Sequence, residues 1–363
     1  MWTITYETAH LVSRHRGTLP VLLTCPHDGE ESPTGVPERT GSAPDCPPFK
    51  KSRDLHTRPI TTGIAQRLLD VFGEAPYVVI AEFHRKFIDA NRQRECAYED
   101  PDATPYYDEY HNTIRSFGEE IRAENGGLGL LFDIHGTQVI DDDPADLYLG
   151  TDDGETVARL LAVDPQAMWR RRSLRGFLEA AGYVVSPKLP GSAETPAVNG
   201  GYTVRSYGSS HVDGLEAIQI EIAFPLRDDE GKRETLIENL AYAIGTLVAR
   251  YADTHTLAAF QRINLFGGGV AQMVTGQLQR RPASNDLRLQ LGGGSSNRGR
   301  VELRHDPGTT VEFATPRRTG VLVLYDEHGH DYYLWVDNQG KLRISPSDPG
   351  ANSQAGTIVG AQP

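Results

Sequence analysis

The chain has 363 residues, a formal net charge of −13 at pH 7, and 38% hydrophobic and 23% charged residues. Such a chain can bury a sizeable core, as one large domain or two ordinary ones. Its acidic balance argues against nucleic acid or an anionic membrane as a partner, and no apolar run approaches the ~20 residues that span a bilayer.

Cys25, Cys46 and Cys96 are odd in number and show no CxxC spacing. No disulfide framework is therefore expected, and the chain is read as cytoplasmic. Cys25 reads as a small buried residue. The first residues carry neither a basic start nor a long apolar run, so no signal peptide is read.

Val21 to Leu23 reads as a buried strand that stops at Pro26 and delivers His27 and, three positions on, Glu30. Ser32 to Pro48 is polar and Pro-rich, an irregular loop. Asp54-Leu-His56-Thr follows. Ile64, Leu68, Leu69 and Phe72 then recur at helical spacing, and Gly73 ends that helix. Tyr77 to Ile80 is a second strand, leading into a polar cluster from Phe83 to Arg92. A long helix begins at Pro105, with Tyr107, Tyr110, Ile114, Phe117 and Ile121 on its core face.

Leu128 to Phe132 is a third strand, running into Asp133 and His135, which share one side of extended backbone. Leu147 to Leu149, a helix from Glu155, a helix from Met168 to Ala181, and Val184-Val185 come next. A Gly- and Ser-rich loop spans Asn199 to Gly208, then a strand from Ala217 to Ile222 and a helix from Glu234 to Tyr251. Strands alternating with helices predict an α/β fold: a mostly parallel mixed sheet with helices on both faces. Ligands of such sheets sit outside the carboxyl ends of the strands, where each polar cluster falls.

Beyond residue 262 helical periodicity vanishes. Short alternating runs at Val301, Thr310, Gly320, Tyr332 and Lys341, with turns at Asp326-Glu-His328-Gly and Asp337-Asn-Gln-Gly340, predict a small all-β domain of roughly 100 residues. The glycine triplets at 267–269 and 292–294 lack a following Gly-Lys-Ser/Thr and support no phosphate loop.

His27, Glu30 and His135 form a two-His, one-carboxylate set suited to zinc. Asp133 is placed to orient a ligand imidazole and is favoured for that by sharing a strand face with His135, with an N-cap or a sheet-end acid as the alternatives. Glu221 is a lone acid in an otherwise apolar strand, a costly placement without a purpose. It suits a proton acceptor and donor beside a metal, although from that residue alone a surface-edge glutamate or a structural ion pair is the plainer reading. Arg85, Arg92 and Arg205 offer forks for a carboxylate. For any one of them a solvated charge is the plainer reading, except Arg92, which follows Asp89 and Asn91. His56, His84 and His111 read as hydrogen-bonded or surface residues, and His328 and His330 as exposed turn residues.

These pieces together resemble the N-formylglutamate amidohydrolase family, related in fold to zinc carboxypeptidases. The resemblance rests on Pro26-His27-Asp-Gly with Glu30, Arg85-Lys-Phe-Ile-Asp89-Ala-Asn91-Arg92, Asp133-Ile-His135-Gly, Gly200-Gly-Tyr202-Thr-Val-Arg205-Ser-Tyr207-Gly208 and Gln219-Ile-Glu221, in the family's order. It covers about residues 18 to 250. It implies that the first domain, read at 1–262, is a zinc-dependent amidohydrolase; the all-β accessory domain read at 263–363 falls outside it. It further implies Zn2+ on His27, Glu30 and His135, Glu221 as base and then acid, and Arg85 as a second catalytic group. Asn91, Arg92, Arg205 and Tyr202 would hold a small anionic N-acyl amino acid or peptide. Two positions depart from the pattern: Gly136, where relatives often have Ser, and the run Ile222 to Arg227, where the family is more polar. A metallopeptidase acting on cell-wall or γ-glutamyl peptides, and a non-catalytic binding protein on a hydrolase scaffold, are the alternatives.

Overall fold

The computed structural model describes residues 3–41, 45–124, 129–170 and 173–252, and, further on, 276–280, 287–291, 301–302, 321–325, 331–337, 339, 341–346, 354 and 356–361. The chain divides into two compact units, Met1–Thr254 and His255–Pro363.

In chain order the first unit contains β1 (Glu7–Ala9), β2 (Val12–His15), β3 (Leu19–Cys25), α1 (Thr57–Phe72), β4 (Pro76–Ala81), α2 (Arg94–Ala97), α3 (Thr104–Glu124), β5 (Leu130–Thr137), β6 (Leu147–Gly150), α4 (Ala158–Val163), α5 (Leu174–Ala180), β7 (Val185–Ser186), α6 (Tyr202–Tyr207), β8 (Glu216–Ala223), α7 (Phe224–Asp228) and α8 (Glu230–Tyr251). Its eight strands form one mixed sheet in the order β1-β2-β4-β3-β5-β8-β6-β7. The middle four, β4-β3-β5-β8, are parallel. The β1–β2 hairpin and β6 join antiparallel at the margins.

The parallel strands are apolar almost throughout because both of their faces are covered. Leu22 packs with Val79, Leu131 and Ala217 against Tyr107, Tyr110, Ile114 and Phe117 of α3. Val21 and Leu23, equally buried, point to the other face. There α1 lies on β3 and β4, and α8 lies on α1. Leu22 is fully buried, and cutting it to Ala would cost about 2–5 kcal/mol through lost packing and a residual cavity.

Several boundaries differ from expectation for local reasons. α1 starts at Thr57, well before the first periodic residue, Ile64, and Pro59 sits in its first turn, where a missing N–H costs nothing. His56 precedes it at φ 70°, and Gly73 closes it at φ 72° with its N–H on Leu69 O. The expected helix from Met168 begins only at Leu174, where the Ser173 side chain accepts from Gly176 N. Part of the Gly/Ser-rich loop is the helix α6.

Cys46 and Cys96 form a disulfide with a Cα–Cα distance of 5.6 Å. This corrects the expectation drawn from an odd cysteine count. Only Cys25 is left over, buried and free. The bond ties the Pro-rich loop to α2, and it removes the ground on which a reducing compartment was expected. Among the described residues no helix is long and apolar enough to cross a membrane.

The second unit contains β9 (Gly276–Arg280), β10 (Leu287–Leu291), β11 (Val301–Glu302), β12 (Val321–Tyr325), β13 (Asp331–Val336), β14 (Lys341–Ser345) and β15 (Thr357–Ala361). β9 and β10 pair antiparallel, and β11-β12-β13-β14-β15 form a five-stranded sheet. Buried Trp335 and the Asp337–Arg343 pair, Nε to Oδ2 2.5 Å, organise the turn between β13 and β14. The run at Thr310, both glycine triplets, His328 and His330 lie outside the described residues.

Candidate metal centre and active site

The centre gathers at the carboxyl ends of the four parallel strands. β3 ends at Cys25, and Pro26 cannot donate to a ladder, so His27 leaves the sheet plane. His27 O accepts the Asp54 N–H at 3.0 Å, which brings the segment before α1 alongside. Thr57 Oγ1 donates to Asp54 O at 2.8 Å and fixes that segment to the helix start. His135 lies near the end of β5, in register with Glu221 on β8. Asp133 is in register with both Thr24 and Gln219.

Three donor atoms converge. His27 Nδ1 is 3.2 Å from His135 Nδ1 and 3.2 Å from Asp54 Oδ2, and His135 Nδ1 is 3.3 Å from the same oxygen. All three residues are buried. Four-coordinate zinc holds nitrogen and oxygen donors at about 2.0–2.1 Å, which sets tetrahedral donors about 3.3 Å apart. The observed triangle matches that spacing, and two imidazoles with one carboxylate are a donor set that suits zinc.

The far nitrogen of each imidazole is held by a buried carboxylate. His27 Nε2 lies 2.7 Å from Asp89 Oδ1, and His135 Nε2 lies 2.7 Å from Asp133 Oδ2. Thr24 Oγ1 donates to Asp133 Oδ1 at 2.6 Å. A carboxylate on Nε2 places the proton there and turns the Nδ1 lone pair inward. Two inward lone pairs and a carboxylate oxygen at these distances repel one another unless positive charge lies among them. The electrostatics point the same way. Burial alone would lower the His135 pKa, but Asp133, then Asp54 and Glu221, carry it well above the ordinary imidazole value.

Burial likewise works against ionised Asp54 and Asp89. For Asp54, the His27 charge, bonds from His135 and His27, and Arg85 hold its pKa well below the usual carboxylate value. For Asp89, Arg85, His27 and Arg92 do the same. Arg85 Nη2 donates to Asp89 Oδ2 at 2.9 Å, and its Nη1 is 3.4 Å from Asp54 Oδ1. Buried Arg39 donates to the Arg85 carbonyl at 2.7 Å. Gly136 N donates to Asp54 Oδ2 at 3.2 Å.

Glu221 faces the same space. Its Oε1 is 4.0 Å from His135 Nδ1 and accepts from Gln219 Nε2 at 3.0 Å. Its Oε2 is buried and has no hydrogen-bond partner among the described residues. Burial raises its pKa above the ordinary glutamate value.

The expected ligand Glu30 is not part of this cluster. Its side chain is 73% exposed and lies 2.5 Å from Arg53 Nη1. Glu31 pairs with Phe83 as an extra bridge, with its N–H on Glu82 O, so the chain after Gly29 follows the end of β4 and carries Glu30 outward. Asp54 stands in its place. Spacing gave no sign of this, since Asp54 reaches the centre across an irregular loop. In the sequence Asp89 stands out only as a neighbour of Arg92.

Asn91 is buried, and its Oδ1 accepts from Thr203 N at 2.8 Å, so its carbonyl oxygen is engaged within the fold; its Nδ2 lies 3.2 Å from His135 Nε2, whose proton is directed to Asp133. Arg92 is half-buried; its Nη1 reaches Asn91 O at 3.4 Å and its Nε lies 3.9 Å from Asp89 Oδ2. Arg205 is exposed on Asp152 (2.9 Å) and Asn199 (3.1 Å). Tyr202 is half-buried, its ring 5.5 Å from that of His111. His111 is itself buried on Tyr207 Oη at 2.9 Å, and burial lowers its pKa to about 3. His84 Nδ1 accepts from Lys86 N at 3.0 Å.

No protein-family model matches the chain, and no curated protein matches it. Solved structures that align with it include an N-formylglutamate amidohydrolase from Ralstonia eutropha JMP134, at 17% identity, 67% of this chain, 99% of that one and a TM-score of 0.47. A bacteriophage poly-gamma-glutamate hydrolase aligns at 13% identity, 69% and 91% coverage and a TM-score of 0.33. A succinylglutamate desuccinylase from Chromobacterium violaceum aligns at 13% identity, 66% and 67% coverage and a TM-score of 0.31.

Proposed function

We propose that the chain is a zinc-dependent hydrolase that cleaves the amide bond of a small N-acylated acidic amino acid or a short peptide-like substrate. The observation that carries this is the triangle of His27 Nδ1, His135 Nδ1 and Asp54 Oδ2, with edges of 3.2 to 3.3 Å, beside a buried glutamate oxygen with no partner.

His27, His135 and Asp54 would hold the ion, and Asp89 and Asp133 would orient the two rings. A bound zinc supplies Lewis acidity for the scissile carbonyl and acidifies water to near neutrality. Glu221 Oε2 accepts the proton of the attacking water and returns it to the leaving nitrogen. Its raised pKa brings it closer to the working pH, which favours both transfers. Arg92 retains N–H groups to grip a substrate carboxylate through two parallel bonds. Arg85, committed to Asp89 and Asp54, fixes a ligand and its partner rather than the substrate.

Zinc-loaded protein screened against N-acyl amino acids and glutamyl peptides, with chelated protein as control, tests this reading. We expect one zinc per chain and turnover of an N-acyl acidic amino acid that chelation abolishes. Selective cleavage of γ-glutamyl or cell-wall peptides would move the substrate class to the metallopeptidase alternative. Absence of zinc affinity would overturn the proposal and favour a binding protein on this scaffold.

A further inference from the structure

Gly136, just after His135, and Arg227, the last residue of the run that follows Glu221, touch each other. A Cβ built on Gly136 would lie 2.6 Å from Arg227 Nε and Nη2 and closer still to Cζ. The guanidinium therefore occupies the space that a side chain at 136 would need.

Arg227 is 3% exposed, on the short helix α7 just after β8. Its three described bonds all go to main-chain carbonyls. Nε donates to Ile222 O at 2.9 Å, Nη1 donates to Leu55 O, and Nη2 donates to Thr137 O at 3.2 Å. Leu55 follows Asp54, Ile222 follows Glu221, and Thr137 lies two residues beyond His135. Burial works against its charge, and Asp54 and then Glu221 are the acids that support it most. A buried cation spent on neutral carbonyls is expensive, and only a planar five-donor fork reaches three separate segments at once.

We propose that Arg227 is the positioning residue of the centre, one guanidinium setting the spacing of the segments that carry Asp54, His135 and Glu221, and that position 136 is glycine to admit it. This rests on the metal-centre reading above. Lysine would keep the charge and lose the three-way tie. A methyl at 136 would displace the guanidinium and produce the same defect by another route.

The test uses the full chain as R227K, G136A and the G136A/R227K double variant. Readouts are zinc affinity by chelator competition, zinc-free Tm, and the split of kcat from KM. We expect each single variant to fold with a lowered zinc-free Tm, because buried carbonyls lose their donor or a methyl overpacks the site, and to weaken zinc about 10–100-fold, the scale of losing a ligand-orienting partner. kcat should fall more than KM rises. The double variant should be no worse than the worse single, because residues acting through one contact are not additive. Wild-type zinc affinity and kcat in R227K, or effects that add in the double variant, would overturn the proposal while leaving the metal centre standing. A wild-type chain that takes up no zinc would overturn both.

Discussion

Two walls of the centre are built differently. On the wall formed by β3, the turn after β4 and the start of α1, both Asp54 oxygens and both Asp89 oxygens have partners inside the fold. On the β8 wall, Glu221 has one oxygen on Gln219 and one with none. A carboxylate with a fold partner on each oxygen is itself held in place, and Asp54 Oδ2 keeps a further lone pair turned into the donor triangle. Glu221, with one oxygen so held, is the acid to which the proposed proton transfers are assigned. The two kinds of carboxylate stand within one cluster, and each can be probed separately.

The largest effect belongs to the first wall. D54A should lose zinc by more than the about 10–100-fold typical of removing a ligand-orienting group, and turnover with it. E30A should keep zinc content and kcat at wild-type values, because its carboxylate is outside on Arg53. Metal analysis by native mass spectrometry decides between them, and zinc loss in E30A with retention in D54A would reverse the assignment.

The β8 wall gives the next effect. E221Q should keep full zinc content while kcat falls by ~10²–10⁴, the usual worth of a positioned acid–base group. In the wild type, kcat/KM should fall as pH falls through the Glu221 pKa, raised above its ordinary 4.5 by burial. An E221Q chain with wild-type kcat would remove Glu221 from the chemistry.

The sequence carried the sheet, its helical cover and most of the centre, because period-2 and period-3.6 apolar patterns are local. His27, Asp133, His135 and Glu221 all sit at or near the ends of strands whose apolar runs announce them. Asp54 was hidden because it belongs to no periodic element. It reaches the centre through one backbone bond to His27 O, and HxxE spacing made Glu30 the tempting choice. Glu30 turns outward only because Glu31 pairs with Phe83, a non-local bridge. Asn91 illustrates the converse: its place in the motif was visible, but its engagement with Thr203, 112 residues on, was not. The disulfide was missed since cysteine parity says nothing of which two Cα atoms come within 5.6 Å.

The smallest expected effect is on stability, and the two walls should move it in opposite directions. Asp89 has a folded-state pKa held well below its ordinary 3.8, so its ionised form stabilises the fold at neutral pH, and that contribution is lost as pH falls through the depressed value. Glu221 has a raised pKa, so its ionised form opposes folding once pH rises past 4.5 and through the folded value. In zinc-free protein at pH 7, D89N should therefore lower Tm and E221Q should raise it, by about 2–4 °C for each kcal/mol involved in a unit of this size. The E221Q gain should shrink to nothing below pH 4.5, where the wild-type glutamate is protonated as well. With zinc present D89N should also bind it about 10–100-fold more weakly, because the His27 ring loses the group that orients it. Thermal denaturation of chelated wild type, D89N and E221Q from pH 4 to pH 8 measures both signs. An E221Q chain less stable than wild type at pH 7 would mean that Glu221 holds the fold as Asp89 does, and the difference between the two walls would disappear.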